Sequence, residues 1–204
     1  MPTLLLTGFE PFDGGRVNPS GEVARRLDGS RIGGATVIGR VLPVSFTRLP
    51  ALIGELMATT KPDALLGMGL ASGEPMIRLE QFGINRAHSE RADNDGLAPV
   101  DRPLDTAGPA ARIATLALAP ALERLRGAGI PARLSFHAGT HCCNLWLYHA
   151  LGALERADRQ IACAFVHLPC LPEQTLETPL ASMPLDLMVG AVRHVAATAV
   201  GAAL

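Results

Sequence analysis

The chain has 204 residues, of which 48% are hydrophobic and only 4% aromatic, so its core must be built mainly from Ala, Leu and Val. The formal net charge is -1 and the basic residues do not cluster, which argues against a nucleic-acid footprint and a polybasic membrane patch. Charge, Gly or Pro interrupts every apolar stretch before transmembrane length, and the chain length predicts one domain over residues 1–204.

The first residues predict a β-strand rather than a signal peptide, because no basic segment precedes the short apolar run. The chain contains four cysteines, two of them adjacent, and this pattern does not resemble a disulfide framework. We therefore expect a reduced, cytoplasmic setting.

Strand-like and helix-like patterns alternate along the chain, which predicts an α/β sheet covered by helices on both faces. The predicted strands are residues 3–7, 35–44, 64–70, 76–85, 131–136 and 161–168. The predicted helices are residues 19–27 after an Asn18 cap, 46–58, 120–126, a helix from Cys143 onward, and one that begins near Pro184. Residues 86–109 and 171–183 are expected to be irregular, and such a long loop is usually functional or mobile.

The segment 135–144 holds the most informative cysteine. A strand enters this segment, and a helical stripe leaves it at Trp146, Leu147, Ala150, Leu151 and Leu154. Cys143 falls on the same stripe, so we expect it in the first helical turn, on the face turned toward the core. Free backbone N–H groups and the helix dipole favour a thiolate there. The alternative is that Cys143 is only a small buried hydrophobe, the commonest fate of a free cysteine.

Two further residues fit a nucleophilic site with Cys143. Sites of α/β folds form outside the carboxyl ends of strands, and His167 nearly ends a strand, while Glu80 lies in the run after Leu70. A cysteine nucleophile needs a base, and the base needs an orienting group, which these residues supply. The alternatives without a functional role are that His167 is a hydrogen-bonded histidine of the core, and that Glu80 is solvated or ion-paired on the strand face that it shares with Arg78.

A metal site is the rival interpretation of the same segment. His137 and His141 are four residues apart and adjoin Cys142 and Cys143. No second ligand cluster with zinc spacing follows, and Gly139 argues against one helix presenting both histidines. We therefore expect neither a metal nor another cofactor.

Collinear motifs over nearly the whole chain resemble the pyrrolidone-carboxylate peptidases, also called pyroglutamyl peptidase I, a family of cysteine peptidases. The motifs are TGFEPF at 7–12, NPS at 18–20, GRVLPV at 39–44, GLASG at 69–73, Glu80, Asn85, DNDG at 93–96, Ala138-Gly139, Cys143-Asn144, FVHLP at 165–169 and PEQ at 172–174.

The resemblance implies removal of an N-terminal pyroglutamyl residue from peptides by a catalytic triad of Cys143, His167 and Glu80. It also implies a three-layer α/β/α sandwich with a mixed, mostly parallel sheet, no metal, and a homo-oligomer, often a tetramer. A tight apolar slot should receive the lactam ring. Its candidate substrate-binding residues are Phe9, Phe12, Asn18, Leu70 and Arg91.

The chain departs from the family pattern at several positions. Glu74 and Gln81 stand where the family usually has arginine, Glu90 and Arg91 straddle the place of a family arginine, and His141 and Cys142 replace apolar or aromatic residues. These departures motivate two alternatives, which are an impaired homologue that only binds pyroglutamyl peptides and a thiol amidase with another N-terminal specificity.

Overall fold

The fold is described for residues 1–201 of a computed structural model. Residues 202–204, the last three of the expected domain, lie outside the described residues. The strands are β1 (Thr3–Phe9), β2 (Arg31–Ile32), β3 (Ala35–Leu42), β4 (Ala64–Leu70), β5 (Ile77–Glu80), β6 (Phe82–Ile84), β7 (Ala111–Ile113), β8 (Ala132–Ser135) and β9 (Ala162–Leu168). The α-helices are α1 (Pro19–Leu27), α2 (Leu49–Thr60), α3 (Leu118–Gly127), α4 (Cys142–Arg156) and α5 (Leu185–Ala199).

Seven strands form one sheet in the order β2-β3-β1-β4-β9-β5-β8, and β6 pairs with β7 in a separate antiparallel ribbon. Strands β3, β1, β4 and β9 run parallel to one another, and β5 runs parallel to β8. Only the pairs β2–β3 and β5–β9 of this sheet are antiparallel. The sheet is therefore mixed and mostly parallel, as predicted.

Helices cover both faces of the sheet because side chains of a buried strand alternate between the two faces. In β1, Leu4 and Leu6 pack into the cluster that contains α1, α3 and α5, whereas Leu5 packs into the cluster that contains α2 and α4. The three-layer α/β/α sandwich is thus confirmed. Within residues 1–201, the helices are all too short or too polar to cross a membrane.

The first helix begins where the sequence predicts. The side chain of Asn18 accepts a hydrogen bond from the backbone N–H of Ser20 at 3.1 Å, and Pro19 occupies the first helical position. Capping of this kind satisfies an N–H that has no partner inside the helix, and Pro loses nothing there. The predicted boundaries at Pro19 and Leu27 are both confirmed.

The single strand expected over 76–85 is wrong, because the run divides at Gln81 between the two sheets. The N–H of Gln81 donates to Ser135 of the large sheet, and its carbonyl accepts from Ala114, next to β7. Strand β6 then lies against α4, and a Cβ on Gly83 would approach the Tyr148 nitrogen to 2.7 Å. Glycine is therefore required where the ribbon crosses the helix.

Candidate active site

Cys143 lies in the first turn of α4, as expected, and its side chain is less buried than that of Cys142. Cys142 is 1% exposed, whereas Cys143 is half-buried at the edge of a cavity. The space at Cys143 exists because β4 carries Gly69 opposite the sulfur, where a Cβ would lie 2.7 Å from Sγ. Cys143 therefore packs against the core from the expected face of the helix, and its thiol also opens onto a cavity.

His167 and Glu80 meet beneath this thiol. Nδ1 of His167 donates to Oε1 of Glu80 at 2.7 Å, and the two residues are 6% and 0% exposed. Both lie on neighbouring strands that run antiparallel, with Glu80 opposite Phe165 in register. The Glu80 side chain therefore contacts His167 on the adjacent strand. Both residues stand near the carboxyl ends of their strands.

The charge state of His167 follows from its neighbours. Burial alone would lower the pKa of the imidazole, but the Cys143 thiolate and the Glu80 carboxylate together outweigh it and raise the pKa to about 9. The imidazole is thus protonated at neutral pH when the sulfur beside it is a thiolate. The Phe165 ring packs edge-on against His167 at 5.1 Å between centroids and restricts its rotation.

Two adjoining cavities open next to Cys143. The larger, of about 290 Å³, is lined by Cys143, His167, Leu70, Phe12 and Arg91 among others. The smaller, of about 20 Å³, is lined by Phe9, Phe12, Asn18, Val44, Leu70, His141, Cys142 and Cys143. All five residues expected to bind substrate therefore line one or both cavities. Two larger surface cavities, of about 540 and 550 Å³, lie at the C-terminal half of α4, away from the cysteine.

The walls of the smaller cavity are held by a buried polar cluster. The side chain of Asn18, besides capping α1, donates to the carbonyl of Glu10 at 3.0 Å, and the Ser20 hydroxyl accepts from the Phe9 N–H at 3.0 Å. These bonds fix the loop that carries Phe12. Asn18 is 2% exposed and lines the cavity. Through its hydrogen bond to Glu10 it also holds the loop that carries the aromatic wall.

Arg91 lies in the predicted irregular segment, which is irregular apart from an isolated bridge between Ala87 and Arg102. Its guanidinium pairs with Asp13 at 3.0 Å, with both side chains at least half exposed. The segment is anchored below by Asp93, whose carboxylate accepts from the N–H groups of Phe46 and Leu97. Arg91 thus lines the larger cavity with a side chain that is mostly exposed to solvent.

The residues of the rival metal interpretation do not converge. The His141 ring packs against Phe12 and Phe46, with centroids 6.0 and 5.0 Å apart, and burial lowers the pKa of its imidazole. Nδ1 of His137 instead accepts from the Gly139 N–H at 3.2 Å. Within residues 1–201 no group of three or more His, Cys, Asp or Glu side chains has an arrangement that would hold a metal ion.

Two residues near the site were not predicted to contribute to it. Asn144, fully buried, accepts from the N–H of Ile84 and donates to the carbonyls of Ile84 and Arg86, which fastens the first turn of α4 to β6. Arg78 contacts Glu80, with Nε 3.0 Å from Oε1. The sequence could have indicated this contact, because Arg78 and Glu80 are two residues apart and alternate residues of a strand share a face.

Known proteins resemble this chain over nearly its full length. The Pyroglutamyl peptidase family matches residues 2–202. A pyrrolidone-carboxylate peptidase of Cupriavidus taiwanensis is 40% identical over 98% of this chain and 93% of its own length, and one of Chromobacterium violaceum is 45% identical over 95% and 90%. The crystal structure of Bacillus amyloliquefaciens pyroglutamyl peptidase I superposes with a TM-score of 0.95 at 35% identity, covering 98% of each chain. The chain therefore belongs to the pyroglutamyl peptidase family.

Proposed function

We propose that this protein is a cysteine exopeptidase that removes an N-terminal pyroglutamyl residue from peptides through Cys143, His167 and Glu80. The observation that carries the proposal is the buried 2.7 Å contact between His167 and Glu80 directly beside the Cys143 sulfur. The sulfur in turn faces cavities with aromatic and aliphatic walls. A nucleophile, a base and an orienting carboxylate in this order are the parts of a catalytic triad.

Acylation begins from the ion pair of the Cys143 thiolate and the His167 imidazolium. The sulfur attacks the carbonyl carbon of the pyroglutamyl residue, and the carbonyl π electrons move to the oxygen. When the tetrahedral species collapses, the C–N bond breaks and the imidazolium gives its proton to the leaving amine. The N–H of Cys143, at the start of α4, is the proposed oxyanion donor, because helix N-termini present unpaired N–H groups.

Deacylation reverses these roles. Neutral His167 takes a proton from water, the resulting hydroxide attacks the thioester, and the C–S bond breaks to release pyroglutamate and the thiolate. The Glu80 carboxylate accepts from Nδ1 throughout, so the other ring nitrogen, Nε2, is left to exchange protons at Cys143. Glu80 thereby determines the tautomer without carrying a proton itself.

The lactam ring is proposed to bind between the two cavities. The smaller cavity has room for roughly one water, so the ring must enter from the larger one and displace part of the wall at Phe12. Phe9, Phe12 and Leu70 supply apolar contacts, and Asn18 fixes the loop between the two aromatics. Arg91, which lines the larger cavity, would contact the peptide beyond the lactam.

The proposed partners are peptides that carry N-terminal pyroglutamate, and neither nucleic acid nor a membrane. Within residues 1–201 all four cysteines are free thiols, which supports the proposed cytoplasmic setting. A homotetramer made of one catalytic domain per chain is proposed from the family resemblance, and light scattering of the purified protein would measure it.

Hydrolysis of a pyroglutamyl naphthylamide tests the function. The enzyme should release naphthylamine, iodoacetamide should stop it, and Cys143→Ser should be inactive because serine has no comparable anion fraction at neutral pH. Cys142→Ser is the matched control. It should retain activity, because burial raises the pKa of the Cys142 thiol and keeps it protonated.

Other results would favour the alternatives. Binding of the amide without turnover would indicate a pyroglutamyl-peptide binding protein. Preferential turnover of another amide, in a panel of aminoacyl and lactam naphthylamides, would indicate a thiol amidase of different specificity. An active Cys143→Ser with an inactive Cys142→Ser would show that the nucleophile has been misassigned.

A further inference from the structure

The side chain of Arg78 joins the proposed triad carboxylate to the segment that leads into α4. Its Nε lies 3.0 Å from Oε1 of Glu80, an ion pair that lacks hydrogen-bond alignment. Its Nη2 donates to the Ser135 hydroxyl at 2.8 Å and approaches the His137 carbonyl at 3.3 Å. One guanidinium therefore contacts β5, the end of β8 and the loop that precedes Cys143.

Arg78 is itself held in place from the opposite side. Its Nη1 pairs with Oε1 of Glu74 at 3.2 Å, and the other oxygen of Glu74 pairs with Arg133 at 2.9 Å. The hydrogen bond from Arg133, assisted by the charge of Arg78, outweighs burial and lowers the pKa of Glu74, so this carboxyl stays ionised. The Arg78 side chain is only 17% exposed, and carboxylates thus flank it on two sides.

The environment of Glu80 shows why a second cation matters. Glu80 is fully buried, and its Oε2 has no hydrogen-bond partner among residues 1–201. A buried carboxylate without compensation is strongly disfavoured in its charged form. His167 compensates the charge only while it is protonated, and the proposed reaction takes that proton away in every turnover. Arg78 is permanently charged, so it compensates Glu80 when His167 is neutral.

We propose that Arg78 is a positioning residue that keeps Glu80 aimed at His167 through the whole reaction cycle and fixes the loop before Cys143. This inference rests on the proposed triad. Arg78 does not touch the substrate cavities, so it acts on the rate and not on binding. The planar guanidinium of Arg78 contacts acceptors in several directions, so a lysine at this position would replace the charge but not the geometry.

Kinetics of Arg78→Met and Arg78→Lys with the pyroglutamyl naphthylamide test the proposal. For Arg78→Met we expect kcat to fall roughly 10- to 100-fold, the effect of losing one close charge in a partly buried site, with KM changed less than about 3-fold. Arg78→Lys should lie between Arg78→Met and the wild type. Arg133→Met is the matched control, since Arg133 also pairs with Glu74 but stands outside the site, and it should keep wild-type kcat.

A second measurement separates positioning from simple stability. The proton on Nδ1 of His167, bonded to a carboxylate, should give a far-downfield ¹H NMR signal in the wild type and in Arg133→Met. This signal should move or broaden in Arg78→Met, and to a smaller extent in Arg78→Lys. The Lys variant keeps the test possible if Arg78→Met does not fold, as judged by circular dichroism.

Several results would overturn the proposal. They are an unchanged kcat in Arg78→Met, a loss of kcat with an unmoved His167 signal, an effect confined to KM, and an equal loss in Arg133→Met. Failure of the proposed function is distinct, because a wild-type protein that hydrolyses no pyroglutamyl amide would still report the Arg78 effect through its NMR signal.

Discussion

Replacement of Glu80 by glutamine tests the central contact of the site with the least change in shape. The glutamine carbonyl oxygen is able to accept from Nδ1 of His167, as the carboxylate does at 2.7 Å, but it carries no charge. It also leaves Arg78, now 3.0 Å from Oε1, without its buried counter-ion. We expect the fold to persist, since Gln matches Glu in volume.

The magnitude follows from these contacts. A hydrogen bond to a charged group contributes about 1.5–3 kcal/mol, which corresponds to roughly 10- to 150-fold in rate. Arg78 would also lose one of its two carboxylate partners and keep only Glu74, which extends the upper limit, so we expect kcat to fall roughly 10- to 1,000-fold. This remains below the loss of about 10⁴ seen for an orienting carboxylate in a serine triad, because a thiolate–imidazolium pair forms without the third member.

The pH profile should change in a defined direction. Glu80 and the Cys143 thiolate both raise the pKa of His167 to about 9, against the effect of burial. Removing the charge of Glu80 removes part of this increase, so the pKa of His167 falls. The limb on which the imidazolium loses its proton should therefore move to lower pH, while KM changes little.

The assay measures kcat and KM for the pyroglutamyl naphthylamide from about pH 5 to about pH 10, a range that brackets the histidine. Glu55→Gln, an exposed glutamate on α2, is the control for the substitution itself. A Glu80→Gln enzyme with wild-type kcat and an unmoved pH profile would refute the reasoning, because Glu80 would then be a structural carboxylate with no part in turnover.

Three further predictions follow from the same geometry. Gly69→Ala should lower kcat by roughly 100-fold, since its Cβ would lie 2.7 Å from the Cys143 sulfur and misplace it, and slower alkylation of Cys143 by iodoacetamide would accompany the loss. Glu74→Gln should lower the melting temperature at neutral pH. In the folded protein the pKa of Glu74 is lowered from 4.5, so the stability that this carboxylate contributes is present above pH 4.5 and is lost as the pH falls through the folded-state pKa. The melting temperatures of the wild type and Glu74→Gln should therefore converge in acid. A difference that stays constant with pH would contradict this. A chelator such as EDTA should leave hydrolysis unchanged, whereas a loss that zinc restores would revive the metal interpretation of His137 and His141.

Local patterns in the sequence were enough to predict most secondary structure. The cap at Asn18, the Pro19 start and the strand from Ala64 to Leu70 depend on residues close in the chain, and the structure confirms each of them. The short strands β2 and β7 were not predicted, because two or three residues carry no measurable periodicity. Their pairing partners, not their own residues, make them strands.

The residue types of the candidate site were also visible in the sequence, but its geometry was not. Cys143, His167 and Glu80 were selected for their chemistry and from the family resemblance, and their catalytic roles stay a prediction. The room for the Cys143 sulfur beside the larger cavity depends on a glycine in another strand, because Gly69 has no Cβ to occupy that space, whereas Cys142 is 1% exposed.

The tertiary structure decided the contact between Glu80 and His167, which are 87 residues apart in the chain. The contact requires β5 to run antiparallel to β9 while pairing in parallel with β8, so that Glu80 lies opposite Phe165. A period of two places side chains on a face but does not specify the neighbouring strand or its direction. The pairing of β5 with β9 is a long-range choice, and it is this choice that places a carboxylate and its arginine beside the histidine.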